Sequence, residues 1–305
     1  MTTNQREGEQ AWHYANRKAA NEALFAATQS SSRSTYFVAP SGTGKSSFIE
    51  GDLLPAARSR KGVVPIVVNL DTDRDHPVAV ISSVLAEHLA DAEGSRGLMR
   101  RARDLATSEV TSINTAIFGV SIAERGQPQQ PADTQLTILR RQFRAVVDSL
   151  PKDHIAVIVL DDAGNLLHPE DSAAICVSLR AIFQEFRSQL RLISFFNSSV
   201  PADHLFHANN GPWRNFGRQQ QLPLPDARFV ELRVRQFEEQ TGLKVNAPSI
   251  HAAWETLFRN PRALNNLMED LEEEMRGCRA PPGGVTPREE MVMNIQGELL
   301  AQQDS

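Results

Sequence analysis

Cysteine is almost missing. Only Cys176 and Cys278 occur in 305 residues, too few for a disulfide framework and not spaced as metal ligands. Both read as inert thiols in a reducing compartment, so the expected location is the cytoplasm. Long apolar runs are missing too. The longest, Ile155–Leu160, is far short of a membrane span, and no membrane role is expected. The first ten residues are polar and carry no apolar signal stretch. Nor is there an excess of positive charge: 32 Lys and Arg face 37 Asp and Glu, for a net charge of −5. A dedicated nucleic-acid binder is usually basic overall, so any such contact needs a local patch. There is no internal repeat. What is present is ordinary: 41% hydrophobic and 23% charged residues. That composition can bury a core, and it excludes collagen, coiled coil and wholesale disorder. The length suits a medium α/β domain with a smaller companion.

Hydrophobic periodicity supplies the organisation. Residues 9–29 read as a helix, 35–39 as a buried strand, and Gly44 to about Ala57 as a helix cut at Pro55. Gly62–Leu70 is a valine-rich strand. Pro77–Ala90 is helical, and Arg96–Ala106 reads as a separate short basic helix. Residues 111–123 partly alternate and read as an inserted hairpin or a disordered insert, followed by a Pro/Gln loop. Thr134–Leu150 is helical, His154–Leu160 a continuous apolar strand, Asp171–Leu190 a helix, and Arg191–Phe196 a strand. A last strand is expected at Gln219–Leu222. This alternation predicts a mainly parallel sheet between helices.

Leu222-Pro223-Leu224-Pro225 marks a boundary, and only helices follow it. The third of them begins at Pro261 with Asn260 as its cap and Leu264, Leu267, Met268 and Leu271 as its stripe. The expected division is a helical N-terminal segment 1–33, an α/β core 34–222, a helical lid 223–278, and a linker with a C-terminal helix 279–305.

The chemistry is concentrated where the first strand meets its helix. Ala39-Pro40-Ser41-Gly42-Thr43-Gly44-Lys45-Ser46 matches the phosphate-binding P-loop pattern (Walker A), with Ala39 in place of the first glycine. Such a loop aims backbone N–H groups at phosphate oxygens, and glycines permit the close approach. The following helix adds its N-terminal dipole. Residues Pro40 to Ser47 are the expected nucleotide cradle. Lys45 would reach the β- and γ-phosphates, and the Ser46 hydroxyl would ligate Mg²⁺. Asp161 and Asp162 follow the apolar strand His154–Leu160, the Walker B position. Asp161 would hold Mg²⁺ through its water shell. Asp162 would orient or deprotonate the attacking water. It is shorter than the glutamate common there, which leads us to expect slow hydrolysis.

With these residues the chain resembles AAA+ ATPases, in the branch shared by origin-recognition-like proteins, archaeal-type ATPases, transposition helper ATPases and STAND signalling ATPases. The resemblance spans about residues 12–276. It implies a P-loop three-layer α/β sandwich with a small all-α lid, and ATP as the nucleotide. It makes Asn197, at the end of the strand Leu192–Phe196, a sensor-1 residue for the γ-phosphate or the attacking water. It makes Arg262 of Asn260-Pro261-Arg262 a sensor-2 contact to nucleotide; the family pattern has glycine where this chain has Arg259. It also implies self-association, with an arginine finger supplied in trans by Arg214 or Arg218.

Two basic clusters remain, Arg96, Arg100, Arg101 and Arg103, and Arg140, Arg141 and Arg144. They read either as phosphate contacts beside a pore hairpin or as helix faces paired with nearby acids. His204 and His207 have a ligand-like spacing but no supporting cluster. The expected function is a Mg²⁺-dependent ATPase switch that helps a process on DNA. The alternatives are a signalling or defence switch acting on a separate protein partner, and a nucleotide-binding scaffold with negligible turnover.

Overall fold

A computed structural model describes residues 17–28, 34–106, 132–223, 225–276 and 283–303, for 92–106, 132–134 and 302–303 by backbone alone. The expected hairpin at 111–123 lies outside these residues. The described chain divides into two compact units, one of 17–22, 38–56 and 221–303, the other of 23–37 and 57–220.

The second unit holds a five-stranded sheet: β1 (Ser34–Val38), β2 (Val63–Asn69), β3 (Ile155–Asp161), β4 (Leu190–Phe196) and β5 (Gly217–Gln220), in the order β2-β3-β4-β1-β5. β1 pairs parallel with β5, β2 with β3, and β3 with β4. Strands covered on both faces must be apolar throughout, and β3 is buried from Ala156 to Asp161. Aromatic rings lock neighbouring strands and helices together. Phe37 stacks on Phe195 at 4.8 Å and Tyr36 on Phe206 at 4.1 Å. Trp213 is fully buried and donates its indole N–H to the Cys176 carbonyl at 2.8 Å. Among the flanking helices, Ala132–Ser149 is tied to Pro77–Ala106 through Gln142 and Ser82: the Ser82 hydroxyl donates to Gln142 Oε1 at 2.6 Å, and Gln142 Nε2 donates to the Ser82 carbonyl at 3.2 Å.

The first unit is helical beyond Ala227, with helices Ala227–Thr241, Ala247–Thr256, Pro261–Met275 and Glu289–Gln303. Val230, Phe237, Ile250, Trp254, Leu264, Leu267, Leu271, Val292 and Ile295 form its core. Each fully buried aliphatic side chain contributes about 1.5–3 kcal/mol, so the last helix is held by its own apolar stripe. Val285 adds a bridge to Val245. There Gly284, at φ 88°, is obligatory, because a Cβ would meet the Asn246 nitrogen at 2.9 Å.

Several sequence expectations shift. Pro77–Ala106 is one helix of 30 residues, and the basic stretch 96–106 is its continuation. The segment after Gly44 is not cut at Pro55. It runs as a helix Lys45–Phe48, a π-helical turn Ile49–Leu53 and a helix Leu54–Ser59, with Pro55, which has no N–H to give, directly after the π-helical turn. β5 lies two residues earlier than expected. No helix among the described residues is long and apolar enough to cross a membrane.

Candidate functional site

The phosphate loop leaves β1 at Ala39 and closes on itself before the helix starts. The Thr43 hydroxyl donates to the Pro40 carbonyl at 2.7 Å. Gly42 and Gly44 take φ of 80° and 91°, the left-handed region that glycine enters without strain. An added Cβ on Gly44 would find nothing within 4 Å, so space is open beside it. Lys45 is buried at 6% exposure, and its Nζ donates to the Ala39 and Pro40 carbonyls at 2.9 and 3.0 Å. The ammonium is thus held by the loop itself. Ser46 and Ser47 are exposed at the start of the helix.

The helix Pro261–Met275 is fastened to this loop. Asn260 caps it by accepting from the Arg262 and Ala263 N–H groups at 3.0 and 3.2 Å. The same amide reaches the loop, with Nδ2 donating to the Ser41 carbonyl at 2.8 Å. The Arg262 backbone N–H donates to the Gly42 carbonyl at 3.2 Å, and its guanidinium to Ser41 Oγ at 3.2 Å. Gly42 permits the approach: a Cβ there would sit 2.7 Å from Asn260 Oδ1 and 2.8 Å from Arg262 Cβ. The two residues before Asn260 are also left-handed, Phe258 at φ 54° and Arg259 at 55°. Arg259 therefore occupies a conformation that glycine would enter freely, the physical reason a glycine suits this position.

A cleft of about 140 Å³ opens beside the loop, bounded by Thr43, Gly44, Ser47, Phe48, Asp52, Leu222, Pro223, Phe229, Pro261 and Asn265. Its lining mixes apolar and polar side chains, and Asn265 Oδ1 is shut away from solvent with no hydrogen-bond partner. Sequence reading missed Phe229 and Asn265, since only folding brings them to the loop. The spacing of Asn265, one turn after Pro261, was the available signal.

The acidic pair lies in the sheet unit. Asp161 ends β3 and is buried at 4% exposure. It accepts from the Asp162 backbone N–H at 3.1 Å. Asp162 turns left-handed at φ 53° and starts the short helix Ala163–Leu167. On the neighbouring strand's end, Asn197 Nδ2 donates to Asp162 Oδ1 at 2.5 Å. Two residues 35 apart in sequence are thus joined at the carboxyl ends of adjacent parallel strands. Arg214 is exposed and donates to the Asn209 carbonyl at 3.0 Å, and Arg218 is exposed on β5.

Other candidates are otherwise engaged. Arg140 and Arg144 both bind Glu185 at 2.7 Å, and these guanidiniums hold its carboxyl below the usual range. His207 Nε2 pairs with the Tyr36 hydroxyl at 2.7 Å. Burial, with Asp203 nearby, pushes that hydroxyl's pKa up. Burial alone pushes the Cys176 thiol to about 12, which keeps it unreactive.

No family model and no curated protein matches this sequence. Solved structures do match. The Aeropyrum pernix ORC1 protein, solved in complex with DNA, shares 14% identity at a TM-score of 0.56 over 94% of this chain and 65% of its own. The Walker-type ATPase of Pyrococcus abyssi shares 13% at 0.54, over 94% and 71%. The Aeropyrum pernix ORC2 protein, solved with ADPNP and ADP, shares 13% at 0.51, over 98% and 69%. The chain spans just under two thirds of the ORC1 chain's length. The likeness falls where the sequence resemblance pointed, and what this chain shares with these three structures is their P-loop α/β fold.

Proposed function

We propose that the protein is a Mg²⁺-dependent, ATP-hydrolysing switch that assembles with copies of itself and helps a process on DNA. The observation that carries the hydrolytic part is the bond between Asn197 and Asp162. Each was singled out separately as a residue acting on the attacking water, and each engages the other. The nucleotide part rests on the two left-handed glycines, the open space beside Gly44 and the buried Lys45. The ORC2 structure with ADPNP and ADP supports a nucleotide in this fold, and the ORC1 structure with DNA supports DNA as partner.

The residues divide the work as follows. Backbone N–H groups from Ser41 to Ser47 receive phosphate oxygens, and Lys45 exchanges its loop carbonyls for the β- and γ-phosphates. The cleft beside the loop takes the base. Ser46 and Asp161 offer the hard oxygen ligands that Mg²⁺ prefers, and the ion supplies charge neutralisation on the phosphates when bound. Asn197 fixes Asp162 through Oδ1, which leaves Oδ2 to accept the proton as water attacks the γ-phosphorus and the bond to the ADP oxygen breaks. Arg262 leaves Ser41 for the phosphate. The helical segment 223–278, carried by Asn260 and Arg262, serves as the lid that responds to nucleotide. Arg214 or Arg218 is the finger donated to a neighbouring copy, where a guanidinium offsets transition-state charge.

Nucleotide affinity of Lys45→Ala, measured by calorimetry with ATP, is the test. We expect a loss of tenfold or more; unchanged affinity would remove the central assignment. Titration of a labelled duplex with ATP and with ADP tests the DNA role. Absence of binding in both states moves the assignment to a separate protein partner.

A further inference from the structure

The entry edge of the sheet is built differently from its exit. Three loops lead into β2, β3 and β4. Their backbones are bonded side by side: the Ile155 N–H donates to the Gly62 carbonyl at 2.7 Å, and the Ala156 N–H to the Gln189 carbonyl at 2.8 Å. Gln189 Nε2 also donates to the Pro151 carbonyl at 3.3 Å. Carried on these loops, or just before the first, are Arg58, Arg60, Lys61, Lys152 and Arg187. None of the five makes a side-chain hydrogen bond or ion pair among the described residues. Elsewhere cations find acids readily, as Arg74 does with Asp71 and Lys244 with Glu238. Over the same stretches the acids are Asp153, paired with His154, and Glu185, held by Arg140 and Arg144.

In a chain of net charge −5, five unpaired cations along one edge are a local reversal of sign. Leaving them unpaired costs self-repulsion that a bound polyanion removes. The shape narrows the choice. Adjacent strands lie about 4.8 Å apart, so three strand entries make a row about 10 Å long and one loop wide. A flat membrane surface would meet this row on one line only. A duplex strand presents a phosphate about every 3.4 Å along its axis, so the row spans about three phosphates.

We propose that this edge binds the phosphate backbone of duplex DNA, without base readout, through Arg60, Lys61 and Lys152 flanked by Arg58 and Arg187. The inference rests on the DNA role proposed above and gives it a surface, in place of Arg140 and Arg144, which are already paired with Glu185.

The test is fluorescence anisotropy of a labelled 20-base-pair duplex across a salt series with ATP present. It compares the full chain with the variant Arg60→Glu/Lys61→Glu/Lys152→Glu and with a charge-matched control, Arg74→Glu/Arg228→Glu/Lys244→Glu. We expect the edge variant to lose at least tenfold in affinity and its salt slope to flatten by about 2 to 3. The control should bind like the parent, and all three should keep nucleotide affinity. Equal losses in both variants would overturn the edge in favour of net charge. An edge variant that binds like the parent would overturn the edge and leave the DNA role standing. No binding by the parent chain would overturn both. Tighter binding of an RNA duplex through the same residues would overturn the assignment to DNA.

Discussion

The two edges of one sheet carry opposite charge. Where β2, β3 and β4 begin, Arg58, Arg60, Lys61, Lys152 and Arg187 face Asp153, which is paired with His154, and Glu185, which is held by Arg140 and Arg144. Where β2 and β3 end, Asp71, Asp73, Asp75, Asp161, Asp162, Glu170 and Asp171 face Arg74. The strands between are seven residues long, so the two fields are separated by about 20 Å. At ordinary ionic strength that is about two Debye lengths, so the two fields act independently. The exit edge repels a bare polyanion and favours phosphate already complexed to a cation. The entry edge attracts a bare polyanion. Under the function proposed above, one sheet would keep a nucleotide and a nucleic acid apart by sign, although both would be phosphate ligands.

The sharpest test of the exit edge is Asp162→Asn. Turnover should fall by about 10²–10⁴, with nucleotide affinity retained, because the amide keeps a bond to Asn197 and loses the basic oxygen. Steady-state phosphate release checks this, and full turnover would move the chemistry elsewhere. Gly42→Ala comes next, with about 3 kcal/mol of lost stability expected, since both the left-handed φ and the crowding by Asn260 and Arg262 oppose a methyl group. Urea unfolding measures it, and a neutral result would mean that the helix is not seated on the loop. A smaller change of opposite sign is expected for Arg259→Gly, a gain of about 1 kcal/mol from releasing a left-handed side chain. The exposed Glu255 ion pair that is lost offsets little of it.

The smallest effect lies near the entry edge. Glu185 has its pKa depressed in the folded chain, so the stability from its two arginines is present above about pH 4.3, the unfolded value. It is lost as pH falls through the lower folded value. The melting temperature of Glu185→Gln should therefore trail the parent at pH 7 and converge with it on acidification. A constant gap would mean that the pair is not electrostatic.

How legible all this was depended on the range of the interaction. The phosphate loop shows in sequence because one short segment supplies backbone, glycines and lysine together. β3 shows because a strand covered on both faces is an unbroken apolar run. β5 was placed late because Gly217-Arg218-Gln219-Gln220 is a polar edge strand held by pairing with β1 rather than by burial of its own residues. The break expected near residue 91 rested on a polar stretch, Asp91 to Ser95, through which the helix simply continues. Asn197 and Asp162 were each recognisable, but their hydrogen bond depends on strand order. The unpaired row at the entry edge was unreadable for the same reason. Its members come from three separate segments, while the arginine clusters that stood out in sequence lie on helices, and two of their members are matched by Glu185.

Trp213 and Trp254 have a use that follows from where they are buried. One lies in the sheet unit and the other in the helical unit, each with almost no exposure. Each is a native optical reporter for its own unit. With Trp12 and one of the pair replaced by phenylalanine, the remaining emission reports on one unit alone. The red shift on denaturation would then show whether the two units melt as one body or in succession.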